Sequence, residues 1–305
     1  MKLTRAEFLK GAAATGGLAL LPRSPMAQGA PLITRKIPSS GVVVSAIGLG
    51  TAQSFGDATD GPEYEARKAV IAALLAGGGT VIDTAPVYSR AETVIGRALS
   101  ELKLRDKTFL STKVSIAGEQ PGVDQMAKSF TDLKTNHVEL MLVHNLRDTD
   151  IHLKTMARMK ADGRIKYVGA TTSFEGQHER MVETMQQHKL DWIQIDYALD
   201  NRDAERRILP TARDKGVAVM INLPFGRTRL FSKVRGKPLP DWAKDIECTS
   251  WAQIFLKFVI AHEGVTIAVP GTNNPEHMKD NVGAMRGRLP DAAMLKRMIA
   301  AVEEA

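Results

Sequence analysis

From residue 46 onward, short apolar runs alternate with longer stretches in which apolar residues recur every three or four positions. The short runs read as buried strands and the longer stretches as amphipathic helices. The strands are expected at Ala46–Thr51, Val81-Ile82, Thr108–Thr112, Val138–Val143, Tyr167–Ala170, Trp192–Ile195, Val217–Asn222 and Val265–Val269. The helices are expected at Tyr64–Ala76, Glu92–Leu102, Val123–Leu133, Ile151–Ala161, Gln177–His188, Asp203–Lys215 and Thr249–Ala261, and two more near 275–285 and 291–303 close the chain. Gly77, Gly163 and Gly216 fall just past helix ends, where glycine stops a helix. Ahead of the first strand, ITRKIPSSGVVVS reads as a hairpin turning at Ser39-Ser40-Gly41 that plugs the floor of a barrel. The stretch from Pro224 to Glu247 has no period and reads as an irregular lid or wall beside a site.

Eight strand–helix repeats at this length define an α/β chain, a (β/α)8 TIM barrel with an N-terminal hairpin and two C-terminal helices. The competing architecture, a doubly wound open sheet, lacks its GxGxxG turn after the first strand. Gly77-Gly78-Gly79 precedes a strand instead of opening a helix, so it is no phosphate loop. Polar signals also recur after most strands instead of at one switch point.

Composition narrows the function classes. The chain has 305 residues, is 44% hydrophobic and carries a net charge of +7. The basic residues are scattered among acids, with no basic run interleaved with aromatics, so nucleic acid is not an expected partner. Cys248 is the single cysteine. It excludes an internal disulfide, and its place at a helix start reads as exposed and incidental. The histidines stand in no metal-ligand spacing, and no metal is expected. No exposed apolar heptad suggests assembly, so a monomer is expected.

Residues 1–30 have a different character from the barrel at 31–305. Lys2, Arg5 and Lys10 make a basic start, GAAATGGLALL is a small-residue apolar run, and Ala27 and Gly29 suit a peptidase. The run is too short to span a bilayer comfortably. TRAEFLK at Thr4–Lys10 resembles the twin-arginine export signature, with Ala6 where the second arginine belongs. The resemblance implies a periplasmic protein that meets the export machinery. A leader without function would leave the protein in the cytoplasm.

The chemistry gathers at strand ends. Asp83 and Tyr88 follow the second strand, Lys113 ends the third and His144 the fourth. The C-terminal strand ends are where a parallel barrel builds its active site. A tyrosine exchanges its proton poorly at neutral pH unless a neighbouring cation favours the phenolate. Lys113 could supply that charge, Asp83 could hold Lys113, and His144 could orient a carbonyl oxygen beside Tyr88. Together they would make a general acid aimed at a carbonyl, worth ~10²–10⁴ in rate. A hydride-carrying cofactor has to complete such a site. A Schiff-base aldolase using Lys113 would need a neutral lysine, which Asp83 opposes.

These residues stand in motifs that resemble the aldo-keto reductase superfamily from about Ile33 to Ala301: DTAPVYSRAETVIGRAL, FLSTK, LMLVHN, GRIKYVGATTSF, WIQIDYALDNRDAE and IAVPGTNNPEHMKDN. The resemblance implies Asp83, Tyr88, Lys113 and His144 as a catalytic tetrad that reduces a small aldehyde or ketone. It implies a bound nicotinamide cofactor, NADP as the family's usual choice with NAD left open. Gln194, with Thr172 or Ser173, would hold the carboxamide. Asn222 stands where many members stack an aromatic on the ring, in the segment Asn222-Leu223-Pro224-Phe225-Gly226. Thr272 and Asn281 match positions near the adenosine, and Gly271 and His277 stand where well-known members grip the 2′-phosphate with Lys and Arg. Arg227 and Arg229 could reach the pyrophosphate. Trp242 or Phe55 could wall the substrate pocket. Only Glu303-Glu304-Ala305 follow the last helix, where some members carry a substrate-gripping tail, so an open, promiscuous pocket is expected. The altered ring platform and phosphate grip motivate one alternative, a catalytically weak nicotinamide-binding or redox-sensing subunit.

Overall fold

The computed structural model describes residues 31–303. The leader segment and its export motif lie outside the described residues. The hairpin is β1 (Thr34–Lys36) and β2 (Val43–Ser45), paired antiparallel with Arg35 opposite Val44. The barrel strands are β3 (Leu49–Gly50), β4 (Val81–Asp83), β5 (Phe109–Val114), β6 (Val138–His144), β7 (Ile165–Thr171), β8 (Trp192–Ile195), β9 (Ala218–Ile221) and β10 (Ile267–Ala268). They pair in parallel and in chain order from β3 to β10. Parallel bridges Ile47–Ala268 and Gly50–Gly271 join the last strand back to the first. The bonds Gly48 N–H to Ala268 O (2.9 Å) and Gly50 N–H to Pro270 O (3.1 Å) close the ring. Glycine is required at this seam, because a Cβ on Gly50 would stand 2.6 Å from the Val269 carbonyl oxygen.

The surrounding helices are α1 (Gly61–Ala76), α2 (Ala91–Leu102), α3 (Glu119–Asp132), α4 (Thr149–Ala161), α5 (His178–Gln187), α6 (Ile208–Asp214), α7 (Arg229–Lys233), α8 (Trp251–Ala261), α9 (Pro275–Gly283) and α10 (Ala292–Glu303). Their apolar faces pack on the outward-facing strand residues in one continuous shell, including Ile82, Leu110, Met141, Ile193 and Val219.

The alternation of strand side chains sets everything inside. A second apolar cluster, separate from the shell, contains Val81, Phe109, Leu140, Leu142, Tyr167, Trp192, Ala218, Met220, Ile267 and Val269, together with Ile37 and Val44 of the hairpin. The ring of Phe109 lies 5.9 Å from Tyr167 and 5.8 Å from Trp192. The Ser40 and Tyr167 hydroxyls are hydrogen-bonded at 2.7 Å. The hairpin therefore plugs the floor as its sequence suggests.

Three local expectations are corrected. The helix expected at 203–215 breaks into a 3-10 turn at Asp203–Glu205 and α6. Pro210, which has no N–H, is accommodated in the first turn of α6. The stretch at 224–247 is not irregular throughout: it carries α7 and a 3-10 turn at Asp241–Ile246, anchored by buried Leu230, Trp242 and Ile246. Cys248 is buried, and burial raises its thiol pKa to about 11, which keeps it protonated and inert.

Candidate active site

The same alternation carries chemistry at the other end of the barrel. Counting in steps of two from the floor, Val81 leads to Asp83, Phe109 to Ser111 and Lys113, and Leu142 to His144. Tyr167 leads likewise to Thr171, Trp192 to Gln194 and Met220 to Asn222. Register fixes the heights: Asp83 lies beside Ser111, Lys113 beside Leu142 and His144 beside Thr171.

Lys113 is fully buried. Its Nζ donates to Asp83 Oδ2 at 2.8 Å and to the Thr84 carbonyl at 2.8 Å. Ser111 donates to the other Asp83 oxygen at 2.9 Å. Burial works against the charge of Lys113, but the Asp83 carboxylate and the neighbouring Tyr88 outweigh it and hold the ammonium pKa above its ordinary value. The ammonium lies 5.1 Å from the centre of the Tyr88 ring. Tyr88 reaches this position on a short loop closed by its N–H on Ala85 O (3.0 Å) and by the Ala91 N–H on Tyr88 O (3.1 Å). Glu92, buried in the first turn of α2, fixes the loop's exit: it accepts from Thr112 at 2.5 Å and from Ser129 at 3.1 Å.

His144 meets Tyr88 edge-on, ring centres 6.1 Å apart. Burial, then repulsion from Lys113, lowers the His144 pKa to about 4. The imidazole is therefore neutral in the physiological range, a hydrogen-bonding group instead of a second cation.

Two cavities open over this group. One, about 380 Å³, is walled by Gly50, Thr51, Asp83, Tyr88, Asn222 and Gly271. The other, about 490 Å³, adds His144 and Ser173. Leu223 borders both, and Gly226 continues the wall in a neighbouring cleft. Gly226 has a left-handed φ of 56°, and a Cβ there would stand 2.5 Å from Asp200 Oδ1. Gln194 is buried, its Oε1 accepting from Thr171 Oγ1 at 2.9 Å. Asn222 donates to Thr172 O at 3.4 Å, while its Oδ1 is buried without a partner.

Some residues named from the sequence do not present their side chains here. The Thr172 hydroxyl turns away, donating to Gln177 Oε1 at 2.6 Å, so of the Thr172 and Ser173 pair only Ser173 borders the cavity. Thr272 closes a turn, accepting from the Asn274 N–H at 3.1 Å. Asn281 is buried on α9 and His277 is exposed on the same helix. Arg229 pairs with Asp200 at 3.0 Å, while Arg227 borders both cavities. Trp242 and Phe55 are core residues, Trp242 lying under Arg297, and neither walls the pocket. Ser111, Thr84 O and Thr171 were not named from the sequence. The step of two from Lys113 to Ser111 and from Asp83's neighbour strand would have found the first.

A closed parallel barrel with a buried lysine–aspartate pair, a tyrosine and a neutral histidine at its C-terminal mouth has the frame of a carbonyl oxidoreductase. Residues 46–301 match the model of the aldo/keto reductase family, and the chain belongs to that family. Methylglyoxal reductase YeaE of Escherichia coli is 29% identical, over 84% of this chain and 90% of its own. Aldo-keto reductase str7 of Strobilurus tenacellus is 27% identical, over 86% and 89%. An aldo/keto reductase from Klebsiella pneumoniae, solved in complex with NADP and acetate, superposes with a TM-score of 0.71 at 26% identity and covers 86% of this chain and 93% of its own.

Proposed function

We propose that the chain reduces a small aldehyde or ketone to an alcohol with a nicotinamide cofactor, Tyr88 serving as general acid. The observation that carries this reading is the fully buried Lys113, held between Asp83 and the Thr84 carbonyl and placed against Tyr88.

The residues fit the cofactor. The unpartnered Asn222 Oδ1 is an acceptor in want of a donor, and a carboxamide N–H would meet that need, with Ser173 bordering the same cavity and Gln194, its amide engaged by Thr171 and Met220, buried behind the wall. Gly50 would leave that part of the wall free of a side chain. Leu223, Gly226 and Arg227 would border the pyrophosphate, and Thr272, His277 and Asn281 lie on or just before α9, toward the adenosine. When bound, the cofactor supplies a hydride to the carbonyl carbon. His144, neutral, donates a hydrogen bond that orients the carbonyl oxygen beside Tyr88. Tyr88 gives its proton to that oxygen, and the Lys113 ammonium stabilises the phenolate left behind. Asp83 keeps Lys113 charged and in place. The Klebsiella structure holds NADP and supports NADP as the cofactor here.

The test is oxidation of NADPH and NADH, side by side, by the full chain with an aldehyde panel that includes methylglyoxal, after the name of the YeaE relative. Carbonyl-dependent oxidation is expected. Tight cofactor binding without turnover of any carbonyl would instead make the chain a nicotinamide-binding or redox-sensing subunit. The export motif at residues 1–30 extends the reading to a periplasmic enzyme, and fractionation of cells that express the full chain tests it.

A further inference from the structure

His144 also borders a third cavity of about 690 Å³, shared with Val87, Ser115, Arg147, Phe174 and Arg180. Four residues after β6 build this side. Asn145, Leu146 and Asp148 all have left-handed backbones, with φ of 53°, 54° and 47°. Such a backbone persists only where its surroundings enforce it, and clusters of such residues mark functional sites. The surroundings do enforce it. Leu146 is fully buried, its carbonyl accepts from Arg180 at 2.8 Å, and Asp148 Oδ2 accepts from the Gly118 N–H at 2.8 Å. The turn that results sets Arg147 at the cavity wall, three residues from His144.

Arg147 has no carboxylate partner among the described residues; of the other cavity arginines, Arg67 and Arg180 are tied to the backbone carbonyls of Ser54 and Leu146. Its charge is close enough to oppose protonation of His144. In the two cavities that share His144, the charged lining is four arginines (Arg67, Arg147, Arg180 and Arg227) against two aspartates (Asp57 and Asp148). Asp148 is engaged by the Gly118 amide, and Asp57 accepts from Ser89 at 3.3 Å. The walls between the arginines are apolar, with Val87 54% and Phe174 52% exposed.

Resting on the carbonyl-reductase reading, we infer that the substrate is a carbonyl compound bearing an anionic group, with Arg147 as the residue that selects it. The carbonyl sits between Tyr88 and His144. A carboxylate or phosphate a few ångströms along the molecule reaches the Arg147 guanidinium, and Val87 and Phe174 flank the link between the two ends. A planar guanidinium takes a carboxylate with two parallel hydrogen bonds, which a lysine could not.

The experiment compares two aldehydes of similar size that differ in charge, 4-carboxybenzaldehyde and methyl 4-formylbenzoate, on the wild type, on Arg147→Gln and on Arg158→Gln. Arg158 pairs with Glu119 away from the cavities and serves as control. A lower KM for the acid than for the ester is expected in the wild type, and raised salt should weaken it. Arg147→Gln should shrink that preference about tenfold, the lower end for a charged hydrogen bond at an exposed site, and Arg158→Gln should keep it. Equal KM values for acid and ester in the wild type, or a preference that survives Arg147→Gln, would overturn the inference and leave the reductase reading standing. Failure of both aldehydes to turn over with either nicotinamide, alongside failure of the wider panel, would remove both.

Discussion

The two ends of the barrel are made by the same strands from opposite materials. At the floor, Phe109, Tyr167 and Trp192 pack on Ile37 and Val44 of the hairpin, and burial of apolar surface stabilises the layer. At the mouth, two to four residues further along those strands, the inward positions hold Asp83, Ser111, Lys113, His144 and Gln194. Burying these groups opposes folding unless each is matched. The lesson is that stability and chemistry are stacked along one axis, and a substitution's effect is set by its height in the barrel.

The comparison is broken most severely by removing one partner of the buried pair. Lys113→Met leaves Asp83 charged and buried, and should cost roughly 3–5 kcal/mol of stability as well as turnover, read by urea titration and cofactor oxidation. A floor change of similar size should separate the two readouts. Trp192→Ala opens a cavity worth about 3–5 kcal/mol, yet protein that remains folded should still oxidise cofactor.

A subtler asymmetry is in pH. His144 takes its proton near the ordinary value when unfolded but only at about 4 when folded. Over that window the unfolded chain binds more protons, so stability should fall as pH drops from about 6.5 to about 4. In His144→Gln that part of the slope should vanish from pH-dependent melts, and the wild-type rate profile should show no His144 ionisation between pH 5 and 8. The smallest effect belongs to the plug. Ser40→Ala removes the hydrogen bond to Tyr167 and should lower stability by about 1 kcal/mol without moving KM.

Most of this axis was legible in the sequence, because period two is exact along a strand. Once the barrel is recognised, the inward set follows from any one member, and a slip of one residue reverses a side chain. Thr172 shows the danger: its neighbour Thr171 faces in and bonds Gln194, while Thr172 itself turns to Gln177. The legibility fails where elements are too short to show a period. The short elements at Arg229–Lys233 and Asp241–Ile246 are fixed by a few buried side chains, Leu230 in the first and Trp242, Ala243 and Ile246 in the second, so Trp242, open to reading as a pocket wall, is core. The burial of Cys248 likewise depends on neighbours distant in the chain. No periodicity could reveal the left-handed turn that positions Arg147, since none of its residues is glycine.

The most direct test of the account is Tyr88→Phe, measured for turnover and for thermal stability in the same preparation. The substitution removes one oxygen from a half-buried loop residue and leaves the Lys113–Asp83 pair in place. The account predicts that kcat falls by about 10²–10⁴ while the melting temperature and cofactor affinity stay close to those of the wild type. Carbonyl turnover at the wild-type rate in this variant would contradict it.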